Sequence, residues 1–203
     1  MQITETNLKF SGSLATRKST KRAIIHHSAS ADVPASTIHQ WHLNQGWSGI
    51  GYHFVIRPNG DIERGRAENL IGAHAGEKGN PDSIGIVLTG NFETGKPTTA
   101  QMDSLVWLLK DYLFPKYGVK PVIGHKDVMA TACPGRNFPW AELRERLEDD
   151  EMAVETKIMV NGQVLTGYIL KDNRSYAPVR ALAEALGYKV AWDEKTKTVI
   201  ITK

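Results

Sequence analysis

Two short apolar runs constrain the fold of this 203-residue chain more than any other feature. Residues 23–25 in KRAIIHHSAS end abruptly at two histidines, and residues 83–89 (SIGIVLT) form a second run. Short apolar runs followed by small polar residues predict buried strands. Helical patterns occur between and after these runs. We therefore expect an α/β domain with a central, mainly parallel or mixed sheet flanked by helices.

The remaining patterns of this domain predict three helices and a hairpin. A helix over residues 36–44 is expected to begin at a Ser or Thr cap and to end at Gly46. A hairpin follows, with strand residues 52–56 and a turn at 58–60. The spacing of Thr98 and Gln101 is that of a capping box, and it begins what should be the longest helix. A last helix is predicted over residues 140–148.

The pattern changes near residue 156 and indicates a second, small α+β module. KIMVNGQVL predicts a hairpin about Asn161 and Gly162, PVRALAEALGY predicts a helix ending at Gly187, and VIITK predicts a terminal strand. With fewer than about 50 residues, this module is near the lower limit for independent folding. The predicted organisation is an N-terminal extension (1–20), a first domain (21–150), a linker (151–156) and the small module (157–203).

Charge and hydropathy exclude some classes of protein. The net charge is +3 and the pI is near 8.9, which suggests mild attraction to anionic polymers and no dedicated nucleic-acid surface. No apolar run approaches the roughly 20 residues that span a bilayer. The N-terminal sequence MQITETNLKFSGSL lacks the features of a secretory signal, so we expect no export by that route.

The residues able to carry chemistry are confined to the first three quarters of the chain. All seven histidines lie between His26 and His125, and Cys133 is the single cysteine. A single cysteine excludes an internal disulfide and leaves three interpretations: a buried apolar residue, a nucleophile or a metal ligand.

The segment GHKDVMATACPG suggests a metal site. It separates His125 from Cys133 by eight positions, and imidazole and thiolate are ligands that zinc prefers. A catalytic zinc site needs a third protein ligand and an open position for water. Either His26 or His27 could supply that ligand, because adjacent strand residues point to opposite faces of a sheet.

Several segments in order resemble one enzyme family: IIHHSAS, GWSGIGYHFVIRPNGDIERGR, GAHAG, SIGIVLTGNF and GHKDVMATACPG. Over residues 21–147 the chain resembles the amidase family that includes the phage-type N-acetylmuramoyl-L-alanine amidases and the peptidoglycan recognition proteins. The resemblance implies cleavage of the amide between N-acetylmuramic acid and L-alanine by a zinc-activated water. The implied ligands of Zn²⁺ are His26, His125 and Cys133, and Tyr52 is the implied neighbour of the zinc-bound water.

Two positions depart from some relatives. Thr131 stands two positions before the cysteine, where some phage enzymes have lysine, and Val87 stands where some bacterial relatives have a glutamate base. Water activation is therefore expected to depend on the metal, with Tyr52 and Thr131 as catalytic hydrogen-bond donors. The general acid is left open between His27, His53 and His74.

Other polar and aromatic residues are assigned by their positions in the pattern. The predicted substrate-binding residues are His27, Trp47, His74 and Asn80, while His27 and His53 are alternatively residues that support the ligands. His39 and His42 lie on a predicted helix and are expected to be surface or packing residues. Arg64 and Arg66 could meet stem-peptide carboxylates, although a solvated surface position is the simpler expectation.

The small module resembles the N-terminal stalk domain of copper amine oxidases, but it contains no His or Cys that could bind copper. It is either a binding module for the wall or its secondary polymers, or a dimerising or spacing element. A deletion of residues 157–203 tests these alternatives by sedimentation with purified walls: unchanged sedimentation would exclude a role in anchoring.

Together these features favour a phage or prophage endolysin. Such an enzyme is made in the host cytoplasm without a signal peptide, is released by a separate pore-forming protein and acts on peptidoglycan. Three alternatives remain: a cytoplasmic amidase that recycles muropeptides, which would prefer soluble substrates to intact walls, a noncatalytic peptidoglycan-binding protein, or a regulator that binds another protein. The complete ligand set argues against the noncatalytic alternative.

Overall fold

The computed structural model describes residues 1–119, 121–148, 154–169, 175–176, 178–194 and 196–203. They form two compact units, Met1–Arg144 and Glu145–Lys203. Residues 151–153 of the predicted linker lie outside the described residues, and a strand begins at Val154. Within the described residues, no helix is both long and apolar enough to cross a bilayer.

A six-stranded mixed sheet forms the centre of the first unit, with strand order β1-β4-β3-β5-β2-β6. Only the β3–β4 pair is antiparallel among the pairings of this sheet. The two apolar runs of the sequence form the neighbouring central strands β2 and β5, as predicted. The strands are β1 Ile3–Thr4, β2 Arg22–His27, β3 Phe54–Ile56, β4 Ile62–Arg64, β5 Ser83–Leu88 and β6 Val122–Gly124.

Helices cover both faces of this sheet, which explains why its central strands are apolar on both sides. Val55 and Val87 pack in one cluster with Ala35 and Ile38 of helix α1. Phe54 faces the other side, where its ring meets Tyr112. The helices are α1 Ala35–Asn44, α2 Gly76–Gly79, α3 Thr99–Trp107, α4 Phe114–Tyr117 and α5 Trp140–Glu148, with a π-helical turn Leu108–Leu113 joining α3 to α4.

The two predicted helix starts have different outcomes. The capping box is confirmed, since Thr98 Oγ1 accepts from the Gln101 amide and Gln101 Oε1 accepts from the Thr98 amide. The Ser or Thr cap predicted for α1 is wrong. Its N-cap is Pro34, and the carboxylate of Glu63 in β4 accepts from the Ala35 amide at 2.5 Å. A carboxylate from a distant part of the chain therefore satisfies the first free amide of the helix.

Residues before Lys21 pack on the sheet. β1 pairs in parallel with β4, and Thr16 forms an antiparallel bridge with Leu70. The guanidinium of Arg17 is buried and donates to the Leu70 carbonyl at 2.7 Å. These contacts satisfy a charged group that would be costly to bury without partners.

The second unit contains a three-stranded and a two-stranded antiparallel sheet. β7 and β8 form the predicted hairpin, and positive φ angles at Asn161 and Gly162 produce its tight turn. The predicted helix and terminal strand are also present. The elements are β7 Val154–Val160, β8 Gln163–Ile169, β9 Ser175–Tyr176, α6 Val179–Ala185, β10 Lys189–Asp193 and β11 Thr198–Thr202.

Candidate metal centre

Parallel pairing of β2 with β6 brings two histidines together. His26 lies near the end of β2, and His125 directly follows β6. Because both strands run in the same direction, their carboxyl ends lie at one edge of the sheet. The ring centroids of His26 and His125 are 4.6 Å apart. His26 is fully buried, whereas His125 is partly exposed.

A loop after His125 returns Cys133 to the same place. The Lys126 amide donates to the Cys133 carbonyl at 2.9 Å, which closes this loop. Cys133 Sγ lies 3.7 Å from His26 Nδ1, and it accepts from the His27 amide at 3.4 Å. One ligand atom from each of His26, His125 and Cys133 lies within 4.8 Å of the other two.

This donor set fits a zinc ion. With Zn–N near 2.0 Å and Zn–S near 2.3 Å, tetrahedral ligand atoms are separated by about 3.5 Å, close to the distance between Cys133 Sγ and His26 Nδ1. Burial lowers the pKa of His26 well below its usual value and also lowers that of His125. Both imidazoles are thus neutral near pH 7, the form that binds metal. Burial raises the pKa of the Cys133 thiol to about 11, so a cation is needed to hold it as thiolate.

His125 of the cluster lines a cleft of about 490 Å³. Besides His125, four residues predicted at the site line it: Tyr52, Trp47, His74 and Asn80. The Tyr52 ring lies 5.0 Å from that of His26, and the Trp47 side chain is about half exposed. The predicted metal ligands and most of the predicted substrate residues are therefore neighbours in the fold.

Residues 16–136 match a family model described as N-acetylmuramoyl-L-alanine amidase. The chain belongs to this amidase family. It is 40% identical to the endolysin of Escherichia phage T7, over 66% of this chain and 93% of the phage protein. It is also 38% identical to peptidoglycan-recognition protein SC2 of Drosophila melanogaster, over 60% of this chain and 71% of the fly protein.

A solved amidase shares the fold. The structure of N-acetylmuramoyl-L-alanine amidase LysC from Clostridium intestinale is similar with a TM-score of 0.69 at 39% identity, covering 73% of this chain and 98% of that one. Residues 155–203 match a separate family model described as copper amine oxidase N-terminal domain. Both resemblances found in the sequence are confirmed.

Four predicted site residues of this amidase are not among those that line the cleft: the ligands His26 and Cys133, and also His27 and Thr131. His27 Nδ1 accepts from the Phe92 amide at 3.0 Å, and its ring lies against that of Phe92, because neighbouring strand residues point to opposite faces. Thr131 is exposed, and its Oγ1 accepts from the Cys133 amide at 3.3 Å. Thr131 therefore stabilises the loop that carries the thiol.

Among the other residues that line the cleft of the amidase are a histidine and a methionine that the sequence did not indicate. His42, expected to be a surface or packing residue, is buried, and its ring lies tilted against that of Trp47 with centroids 4.6 Å apart. Met129 places Sδ 3.2 Å from His125 Nε2. Met129 lies four residues after His125. No sequence motif distinguishes a methionine that lines a cleft from one that packs in the core.

Four histidines of the amidase are held by backbone amides. In each, Nδ1 accepts from a main-chain N–H at 2.9–3.1 Å, so the proton of the neutral ring is on Nε2; they are His27, His39, His42 and His53. Burial is the main cause that lowers the pKa of His42 to about 4 and that of His53 to about 3. His53 is fully buried, and its Nε2 donates to the Leu70 carbonyl. It is therefore unable to protonate a leaving group in the cleft.

The two arginines that were candidates for binding substrate carboxylates instead contact groups within the amidase itself. Arg66 is buried and donates to the carbonyls of Ile50 and Ile71. Arg64 lies over the Phe54 ring and pairs with Glu5 and Glu68. The expectation that both are solvated surface residues is wrong, because the chain folds its own acceptors around them.

Proposed function

We propose that this chain hydrolyses the amide bond between N-acetylmuramic acid and L-alanine in bacterial peptidoglycan, using a zinc ion held by His26, His125 and Cys133. The observation that carries the proposal is the convergence of two imidazoles and one thiol within 4.8 Å, with one of these imidazoles, that of His125, lining a cleft that is open to solvent. Three protein ligands leave one position for water or substrate, as catalytic zinc sites do.

Zinc in such a site supplies a Lewis acid and a water whose pKa is lowered to about 7. The contribution of Tyr52 is a hydrogen bond. Burial, followed by the nearby Cys133, raises the pKa of its phenol above the usual value, so Tyr52 keeps its proton near pH 7. A protonated phenol beside the cluster can donate to the carbonyl oxygen of the scissile amide as negative charge develops there.

Thr131 is proposed as a second donor. Its oxygen accepts from the Cys133 amide, which leaves the hydroxyl hydrogen free to donate to a substrate group bound beside the thiol. The side chain is short and uncharged, so its contribution is expected to be smaller than that of a lysine at the same position.

The remaining lining residues are suited to a glycopeptide. Trp47 offers an aromatic face at the rim, supported by His42. Asn80 uses Oδ1 to accept from the His74 and Ala75 amides at 2.8 Å, so its NH₂ group is the part available to substrate. Apolar surface with a few fixed polar groups is typical of ligand sites.

An endolysin role is proposed from the relatives. Proteins from Klebsiella phage KP32 and Escherichia phage T7, which are 38% and 40% identical to this chain, are named endolysins. Action on the wall after release from the host cytoplasm, and binding of secondary wall polymers or dimerisation through residues 157–203, belong to the same proposal.

Digestion of purified peptidoglycan tests the reaction. Hydrolysis of the proposed bond frees the α-amino group of L-alanine and creates no new reducing sugar end. We expect amino groups to accumulate without reducing ends. Chelation of zinc should lower the rate at least about 10²-fold, and added Zn²⁺ should restore it. Release of reducing ends, or a rate that is unchanged in metal-free protein, would contradict the proposal.

A further inference from the structure

A chain of three hydrogen bonds leads away from the metal cluster. His26 Nε2 lies 3.0 Å from His74 Nδ1, and His74 Nε2 lies 3.4 Å from Ser83 Oγ. Ser83 Oγ in turn lies 2.6 Å from the Gly79 carbonyl oxygen. His26, His74 and Ser83 are all buried.

The last member sets the direction of the whole chain. A carbonyl oxygen only accepts, so the Ser83 hydroxyl hydrogen points to Gly79, and Ser83 Oγ accepts from His74 Nε2. A neutral His74 ring has one proton, so its Nδ1 is an acceptor and His26 Nε2 must be the donor. His26 then presents the lone pair of Nδ1, the atom that lies 3.7 Å from Cys133 Sγ.

The ring of His74 occupies a slot that two glycines create. A Cβ atom at Gly72 or at Gly85 would lie 2.4 Å from His74 Cδ2, which is closer than real Cβ contacts allow. Asn80 Oδ1 holds the backbone of the same loop by accepting from the His74 and Ala75 amides. Independent contacts thus fix both the main chain and the ring of His74.

We propose that His74 is a positioning residue that holds His26 in the tautomer with Nδ1 available to the metal, and that Ser83 orients His74. The inference rests on the proposed zinc site. The sequence predicted His74 to bind substrate. In this inference His74 acts through His26. A histidine ligand whose other nitrogen is anchored loses fewer orientations on binding, and such anchors stabilise the bound metal.

Zinc affinity of two His74 variants tests this role. His74→Leu removes the acceptor and should weaken zinc binding about 10- to 100-fold in competition with a chromogenic chelator. His74→Asn places an amide oxygen at the position of Nδ1, and its affinity should remain within about threefold of the original protein. His39→Asn is the matched control, since His39 is another buried histidine, contacts Lys9 and Ile50, and should leave the affinity unchanged.

The outcomes separate this inference from the proposed function. Unchanged affinity in His74→Leu, or equal losses in His74→Leu and His74→Asn, overturns the positioning role while the zinc site stands. An original protein that binds no zinc overturns both. Nitrogen-15 NMR of the unaltered zinc-loaded protein requires no variant to fold: we expect a proton on His26 Nε2 and none on His74 Nδ1, and the reverse pattern overturns the inference.

Discussion

His26→Asn is expected to lower the rate of wall hydrolysis at least about 10³-fold, whereas His27→Asn should retain more than about a tenth of it. The difference follows from the strand, which directs the two side chains to opposite faces. His26 Nδ1 lies beside Cys133 Sγ, and a neutral amide is a poor replacement for imidazole in a zinc site. In His27→Asn the amide oxygen can still accept from the Phe92 amide.

Initial rates of amino-group release, together with zinc content and circular dichroism of each variant, check this result. Both substitutions replace a buried imidazole in β2, so a general loss of folding would appear in both. Equal loss of activity in the two folded variants would contradict the assignment of His26, and not His27, as the zinc ligand from β2. It would favour the role in substrate binding predicted for His27.

Tyr52→Phe is expected to lower kcat about 10²- to 10³-fold without reducing zinc content. Losing one donor to a developing oxyanion commonly costs this much, and phenylalanine retains the ring that packs against His26. Tyr112→Phe is the control. Tyr112 is another partly buried tyrosine, but its hydroxyl donates to Glu68, and the substitution should leave kcat within about twofold.

Steady-state kinetics and metal analysis separate the possible roles of Tyr52. If kcat for Tyr52→Phe equals that of the original protein, the hydroxyl does not stabilise the transition state. If activity and zinc content fall together, Tyr52 supports the metal cluster, and its proposed role as a donor to substrate is wrong.

Local patterns in the sequence were sufficient to predict those elements whose stabilising contacts are themselves local. The apolar runs predicted β2 and β5, and the spacing of Thr98 and Gln101 predicted the start of α3. The donor types of His125 and Cys133 and their spacing suggested a metal site, but the sequence did not predict β6, whose parallel pairing with β2 brings His26 and His125 together. The family resemblance then selected His26 in preference to His27.

Features that depend on distant partners were not predictable in the same way. The start of α1 is set by a carboxylate 28 positions away, at Glu63. His42 reaches the cleft because the Gly51 amide donates to its Nδ1 and fixes the ring beside Trp47. His74 lines the cleft, but its contact with His26, 48 positions away, has no signature in either segment.

X-ray absorption at the zinc K-edge of the purified, zinc-loaded protein tests whether His26, His125 and Cys133 hold the metal. We expect one zinc per chain, with one sulfur ligand near 2.3 Å and nitrogen ligands near 2.0 Å. Cys133 is the single cysteine, and Cys133→Ser should remove the sulfur signal, which distinguishes the thiolate from a methionine ligand. Zinc coordinated only by nitrogen and oxygen, or no bound zinc, would contradict the proposed metal centre.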